Sequence, residues 1–453
     1  MVKLATTLLG RVYKFRDIKE VLSKANEERA GDLLAGISAG NVKERIAAKV
    51  VLAELTLEDL RYNPVVPFEK DAVSRVIDSM VNEISYKNIK NYTVGDFREF
   101  VLSASSEEIA KIRDGLTGEM VAGVTKLMGN LDLVYASKKL PVTATCNTTI
   151  GGAGVLASRL QPNHPADDIK GMLASIKEGL SYGIGDAVIG VKPVSDNITS
   201  VSNILRAIKE FMDKWQIPTQ NCVLSHITTQ MKAAKDGVPI DLMFQSIAGS
   251  EKANNAFGIS IALLDEAKEI MAIHKSSKGE NFMYFETEQG TELSSEGNNN
   301  ADQVTLAARC YGLAKRYNPF LVNTVVGFMG PEYLYDGRQV IRAGLEDHFM
   351  GKLTGIPMGA DICYTNHMKT DQNDIDNLLM LLGMADCAYV MGVAGTDDIR
   401  MMYQSTSFHD IAAVRSIFGK KPIKEFEKRL EELGIMGEGK LTSAAGDPSI
   451  FGL

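Results

Sequence analysis

Nothing in this sequence is built for a membrane span, a disulfide framework or a nucleic acid. No stretch reaches the roughly 18 uncharged apolar residues of a transmembrane helix, and the opening MVKLATTLLGRVYKFRD has charges on both sides of a short mixed run in place of a signal-peptide core. A cytosolic protein is expected. The five cysteines (Cys146, Cys222, Cys310, Cys363 and Cys387) lie far apart, with no C-x-x-C, zinc spacing or iron–sulfur triplet, so they read as reduced, buried small hydrophobes. Positive charge is not in excess: 57 acidic residues outnumber 49 basic ones, for a net charge of -8. That balance argues against a general nucleic-acid or anionic-membrane binder and still leaves room for a local basic pocket. H-E-x-x-H and P-loop motifs are also missing.

What is there is ordinary globular composition, 45% hydrophobic and 23% charged over 453 residues, which is enough for two or three domains. Residues 1–125 are dense in helix formers, as in Ile18–Arg29 and Asn41–Leu52, and Thr56 with Asp59, Thr93 with Asp96 and Ser105 with Glu108 have capping-box spacing. They read as a helical scaffold or oligomerisation region. Residues 126–419 change to short runs rich in Val, Ile, Thr, Tyr and Phe: Val142–Ile150, Ala187–Pro193, Cys222–Ile227, Leu242–Ile247, Phe282–Thr287, Leu321–Phe328, Ala360–Tyr364 and Ala388–Val393. Helical stretches fill most of the gaps: Ala166–Tyr182, Ser200–Trp215, Lys252–His274, Ala301–Arg316, Arg338–Lys352 and Asn373–Ala385. Eight strands alternating with helices predict an α/β fold, a (β/α)₈ TIM barrel, with an open doubly wound sheet as the alternative. Residues 420–453 read as a charged helix and an extended tail.

Working residues of such a barrel stand at the C-terminal ends of its strands. That rule selects Arg159 and Gln161 after strand 1, Lys192 and Pro193 on strand 2, Phe244, Gln245 and Ser246 on strand 4, and Glu286 on strand 5 with Ser294 beyond it. It also selects Phe328, Asp361 with Asn366 and His367 later, and Met391 with Gly392. Two carboxylates, an amide and two cations at one barrel mouth suit a small substrate bearing an amine and a hydroxyl, because carboxylates hold an ammonium while Arg and Lys polarise an oxygen. Taken singly, each carboxylate could equally be a structural ion-pair partner. Gly152-Ala-Gly154-Val-Leu-Ala157 imitates a dinucleotide loop but lacks the acidic residue at the end of a second Rossmann strand. Glu346-Asp-His348-Phe-Met-Gly351 is near the D-x-H-x-x-G pattern of some cobalamin enzymes, with Glu in place of Asp and within a barrel helix, so His348 reads as structural.

Longer motifs carry a resemblance. Ala144-Thr-Cys-Asn-Thr-Thr-Ile150, Ser158-Arg-Leu-Gln-Pro-Asn163, Phe244-Gln-Ser-Ile-Ala-Gly-Ser-Glu251, Tyr284-Phe-Glu-Thr287, Arg342-Ala-Gly-Leu-Glu-Asp-His-Phe-Met-Gly-Lys352 and Cys363-Tyr-Thr-Asn-His367 resemble the large, catalytic subunit of ethanolamine ammonia-lyase nearly end to end. The resemblance implies an adenosylcobalamin-dependent radical lyase that converts ethanolamine to acetaldehyde and ammonia. It also implies a small-subunit partner, a homo-oligomer of large subunits and a cytoplasmic address, with a bacterial microcompartment as a further one. By motif match, Glu286, Gln161 and Asp361 hold the amine, Arg159 bonds the hydroxyl, and Gln245, Ser246, Ser294 and Phe328 lie along the cofactor; Pro193, Phe244, Met391 and Arg400 are expected beside it, and Lys192 beside the substrate.

Two positions depart from the family pattern: Lys192 stands where the family has asparagine, and Arg400 where it has methionine. Lys192 either reflects drift, paired to a carboxylate such as Asp196, or shifts specificity toward another short amino alcohol bearing an anion or an extra oxygen acceptor. A non-catalytic assembly paralogue is the remaining alternative, against which the joint retention of Arg159, Gln161, Glu286 and Asp361 argues.

Overall fold

Between Ala157 and Phe418 short, fully buried strands alternate with helices, and in the computed structural model, which describes residues 3–288 and 290–452, eight of them pair into one parallel sheet. They are β1 (Ala157–Leu160), β2 (Val188–Val191), β3 (Asn221–Val223), β4 (Met243–Ser246), β5 (Met283–Glu288), β6 (Leu321–Val325), β7 (Met358–Asp361) and β8 (Tyr389–Gly392). Each strand pairs with its successor in sequence except β3 with β4, and β1 pairs with β8 through Arg159 opposite Met391, so the sheet curls back on itself as a TIM barrel and the open-sheet alternative is excluded.

The regular ladder is interrupted only between β3 and β4, where side-chain amides stand in for strand backbone. Gln230 donates to the carbonyls of Ser225 (2.7 Å) and Phe244 (2.8 Å) and accepts from the Phe244 N–H (3.0 Å), while Gln245 accepts from the Ile227 N–H (3.0 Å). Buried backbone groups left without a sheet partner are thereby satisfied.

Around the sheet lie α1 (Ile169–Ser181), α2 (Ile198–Trp215), α3 (Ile227–Lys235), α4 (Ile261–His274), α5 (Gln303–Lys315), α6 (Gly337–Thr354), α7 (Gln372–Met384) and α8 (Phe408–Phe418). Side-chain oxygens start all of them but α3, for example Asp168 on the Gly171 N–H and Asp302 on the Thr305 N–H, while the His226 ring nitrogen caps α3. The stretch 252–274, expected as one helix, is two (Glu251–Ala256 and α4), broken at Gly258, whose φ of +73 no helix accepts. His348 lies buried within α6. All five cysteines are buried and unpaired with one another, and among the described residues no helix is long and apolar enough to cross a membrane.

The first strand is a correction. Val142–Ile150 is not in the barrel: Ala144–Thr145 and Thr149–Ile150 form a small antiparallel hairpin with exposed threonines, whereas a barrel strand is buried on both faces. The hairpin lies by the N-terminal ends of β3 and β5, held by Gln220 Oε1 on the Asn147 and Thr148 N–H groups and by the Asn281 N–H on the Thr145 carbonyl. The true β1 is Ala157–Leu160, which moves Arg159 from a loop onto a strand.

Before the barrel, a hairpin (Ala5–Leu8 with Arg11–Lys14) leads into short helices running to Lys138, and the boxes at Thr56, Thr93 and Ser105 are present as the spacing predicts. This region is fused to the barrel by buried charge. Arg309 of α5 binds Asp71 and Glu119 at 2.7 Å each, Lys126 binds Asp302, and Arg29 binds Glu346. Past α8 come the helix Lys424–Glu432 and, in place of an extended end, a hairpin (Met436–Gly437 with Lys440–Leu441) and a final helical turn whose Phe451 packs on Phe211 and Trp215 at ring-centroid distances of 6.1 and 5.5 Å.

Removing one partner of a buried ion network leaves the others charged and desolvated, at about 3–5 kcal/mol. Arg309→Met is expected to lower the thermal and urea midpoints substantially by stranding Asp71 and Glu119. Unchanged midpoints would show that this network does not hold the helical region to the barrel.

Candidate active site

At the C-terminal end of the barrel a cavity of about 110 Å³ is lined by Arg159, Gln161, Lys192, Leu224, Phe244, Ser246, Glu286, Glu288, Val325, Phe328, Asp361, Met401 and Tyr403. Its floor is organised by Arg159, 1% exposed on β1. One guanidinium nitrogen (Nη1) donates to Tyr284 and Glu286 of β5, and the other (Nη2) donates to Gln161. Glu286 Oε1 also accepts from Tyr284 Oη (2.6 Å) and Asn323 Nδ2 (3.1 Å), while no hydrogen bond to Oε2 exists among the described residues. The carboxylate is thus clamped by one oxygen and offers the other to the cavity.

Gln161 cannot swing freely. Its amide Nε2 donates to Asp398 (2.6 Å) and Tyr403 (3.0 Å), residues of a hairpin after β8 (Asp397–Asp398 with Tyr403–Gln404). Tyr403 Oη in turn donates to Asp361 Oδ2 (2.6 Å), and Ser405 Oγ donates to Oδ1 (2.8 Å). Burial raises the Asp361 carboxyl to about 7, with the Glu286 charge adding to the shift, against the opposing effect of its hydrogen bonds and of Arg159. Glu288, two residues beyond Glu286 and so on the same face of β5, is raised to about 7 by burial and by Glu286. Burial lowers the Lys192 ammonium's pKa; its Nζ stands 5.9 Å from the Phe244 ring centre and has no ion-pair partner among the described residues. The expected Lys192–Asp196 pair is therefore not formed: Asp196 instead accepts from the His226 N–H at 2.9 Å.

Of the residues chosen from sequence, Arg159, Gln161, Lys192, Phe244, Ser246, Glu286, Phe328 and Asp361 meet in this one cavity. Eight do not line it, among them Asn366, His367 and Gly392. Gln245 spends its amide on the β3–β4 seam and on Ser246 O; Arg400 Nη2 donates to Pro193 O (3.0 Å), tying two loops together; Met391 is buried under Tyr403; and Ser294, exposed, donates to Thr291 O (2.9 Å). Glu288, Tyr403, Asp398, Asn163 and Tyr284 were missed. Glu288 and Tyr284 carried a signal, since strand alternation puts residues two before and two after Glu286 on its face. Tyr403 and Asp398 carried none, arriving from a hairpin far along the chain.

A closed barrel whose mouth presents a clamped carboxylate, a second carboxyl poised near neutrality and a buried guanidinium within apolar walls is an enzyme site for a small polar molecule. Comparison with known proteins is specific: residues 13–444 match the family described as ethanolamine ammonia lyase large subunit (EutB), to which the chain belongs. The chain is 55% identical over 452 residues to the ethanolamine ammonia-lyase large subunit of Escherichia coli (strain K12), covering 99% of this chain and 100% of that one, and equally to that of Salmonella typhimurium. A truncated 3-deoxy-D-arabino-heptulosonate 7-phosphate synthase from Thermotoga maritima matches at 11% identity with a TM-score of 0.34, covering 65% of this chain and 97% of its own.

Asp361 binds its proton more tightly folded than unfolded, so between pH 4 and 7 the native state carries the extra proton and unfolding free energy falls as pH rises, by up to about 1.4 kcal/mol per pH unit, levelling above pH 7. Denaturation of the wild type and Asp361→Asn across pH 4–8 checks this: the wild type should lose stability relative to the variant up to about pH 7. A constant difference would mean that Asp361 is ionised throughout.

Proposed function

We propose that this chain is the catalytic large subunit of a lyase that converts ethanolamine to acetaldehyde and ammonia, with adenosylcobalamin as cofactor. The observation that carries the reading is the half-committed Glu286: one oxygen is locked by Arg159, Tyr284 and Asn323, and the other faces the small cavity shared with Asp361. A substrate ammonium bound between these carboxyls gains charge-assisted hydrogen bonds in a site walled from water by Leu224, Phe244, Val325, Phe328 and Met401. The substrate hydroxyl then falls to Arg159, whose fixed positive charge stabilises negative charge developing on that oxygen.

The net reaction moves a hydrogen from the hydroxyl-bearing carbon to its neighbour and expels the amine. Asp361, balanced between charged and neutral forms near pH 7, can hold or release a proton at Oδ2 as the amine changes position, and Tyr403 Oη keeps that oxygen in place. Gln161 holds Arg159 rather than turning its own amide toward a ligand.

The mouth fits a cofactor with a broad apolar face. The hairpin that brings Met401 and Tyr403 into the cavity exposes Ile399 (60%) and Met402 (78%), and Ser246 and Phe328 stand at the cavity wall. Phe244, Ser246, Phe328 and the exposed Ser294 would hold adenosylcobalamin, with Pro193, Gln245, Met391 and Arg400 supporting the loops beneath. When bound, it supplies a carbon-centred radical by homolysis of its cobalt–carbon bond. The reading includes a small subunit covering this end, several large subunits in one assembly, and a place in the cytosol or inside a bacterial microcompartment. An exposed apolar stripe, Val42, Ile46 and Val50 (58%, 44% and 38%), runs along one face of the helix Val42–Glu54 and supports the assembly.

Two outcomes are expected. Glu286→Gln should lower kcat for ethanolamine by roughly tenfold to a hundredfold or more with the fold intact by circular dichroism; wild-type turnover would remove Glu286 from the mechanism. In sedimentation velocity at micromolar concentration the chain should run as an oligomer, and a stable monomer would contradict the assembly.

A further inference from the structure

The cavity has more polar capacity than a two-carbon amino alcohol can use. Arg159, Glu286 and Asp361 already meet an amine and one hydroxyl. On β5, Glu288 stands two residues, roughly 6 to 7 Å, beyond Glu286 toward the mouth. Lys192, just past the end of β2, lines the same cavity. Its backbone is fixed, because its N–H donates to Asn163 Oδ1 (2.7 Å) and Asn163 donates to Asp398 (2.9 Å), the residue that also anchors Gln161. The ammonium therefore leaves a rigid base into a half-buried space walled by Phe244 and Leu224, with no carboxylate within 4.0 Å among the described residues. A desolvated ammonium without an acceptor is unfavourable, so a ligand that supplies one is favoured.

We propose that Lys192 and Glu288 form a second recognition layer above the amine cradle, selecting a short amino alcohol with an additional hydroxyl, an amino diol, over ethanolamine. A hydroxyl can accept from Lys192 Nζ and donate to Glu288 at once. A carboxylate substituent would gain the lysine but face both Glu286 and Glu288, so the acidic surroundings choose the neutral group. This rests on the deamination reading for its chemistry, and on the cavity's own donors and acceptors for its specificity.

The probes are ethanolamine, 2-amino-1,3-propanediol and serine, measured in two ways: calorimetric binding to the purified chain, and kcat/KM of the chain assembled with small subunit and adenosylcobalamin. The wild type should bind the diol more tightly than ethanolamine or serine, and Lys192→Met and Glu288→Gln should each lower the diol-to-ethanolamine ratio by about tenfold or more in binding. A ratio unmoved by both variants, or serine bound more tightly than the diol, overturns the second layer. If the diol binds preferentially and the ratio responds to both variants, the second layer stands even where neither amino alcohol is deaminated, in which case it is the lyase reading that fails. Turnover of ethanolamine with no preferential binding of the diol overturns the second layer alone.

Discussion

A guanidinium inside a barrel can neither lose its proton nor be left without partners, and Arg159 imposes that requirement on everything around it. Tyr284 and Glu286 answer from β5, Gln161 from the end of β1. Satisfying Gln161 draws in Asp398 and Tyr403 from the hairpin after β8; Asp398 holds Asn163, and Asn163 holds the backbone of Lys192 after β2. Tyr403 fixes Asp361 on β7. One buried charge thus sets the positions of loops from three parts of the barrel and leaves one oxygen of Glu286 facing the ligand space. Preorganisation of this kind is what lets a small site act on a small molecule, since few contacts are available to orient it.

The same device recurs where no chemistry is done. Arg415 of α8 donates to the carbonyls of Leu156 (2.8 Å) and Gly183 (2.6 Å) and pairs with Asp186 (2.9 Å), binding the last helix to the segments that enter β1 and β2. Arg309 does so for the helical region before the barrel. Every guanidinium nitrogen of Arg309 and Arg415 donates within the protein, whereas at the mouth Glu286 and Lys192 keep atoms in reserve. That contrast separates charge that holds the fold together from charge held ready for a ligand.

Strand alternation and helical period made the barrel legible, because a parallel strand buried on both faces reads as a short continuous apolar run. They failed at Val142–Ile150, where a threonine-rich hairpin has strand composition without strand burial, and at Ile227, read as the end of a strand although it is the first residue of α3. Four residues of the cavity were legible from their places on or just after strands: Arg159, Glu286, Asp361 and Lys192. It was illegible where partners come from a distant hairpin, as with Asp398 and Tyr403, and where a promising side chain is spent internally, as with Gln245 at the β3–β4 seam.

The proposed deamination moves a hydrogen between adjacent substrate carbons while releasing the amine. Ethanolamine deuterated at the hydroxyl-bearing carbon, incubated with the chain, its small subunit and adenosylcobalamin, tests it by mass analysis of the product. The account predicts ammonia release together with acetaldehyde that carries deuterium in its methyl group. Acetaldehyde with no deuterium in the methyl group, or no ammonia at all, would contradict it.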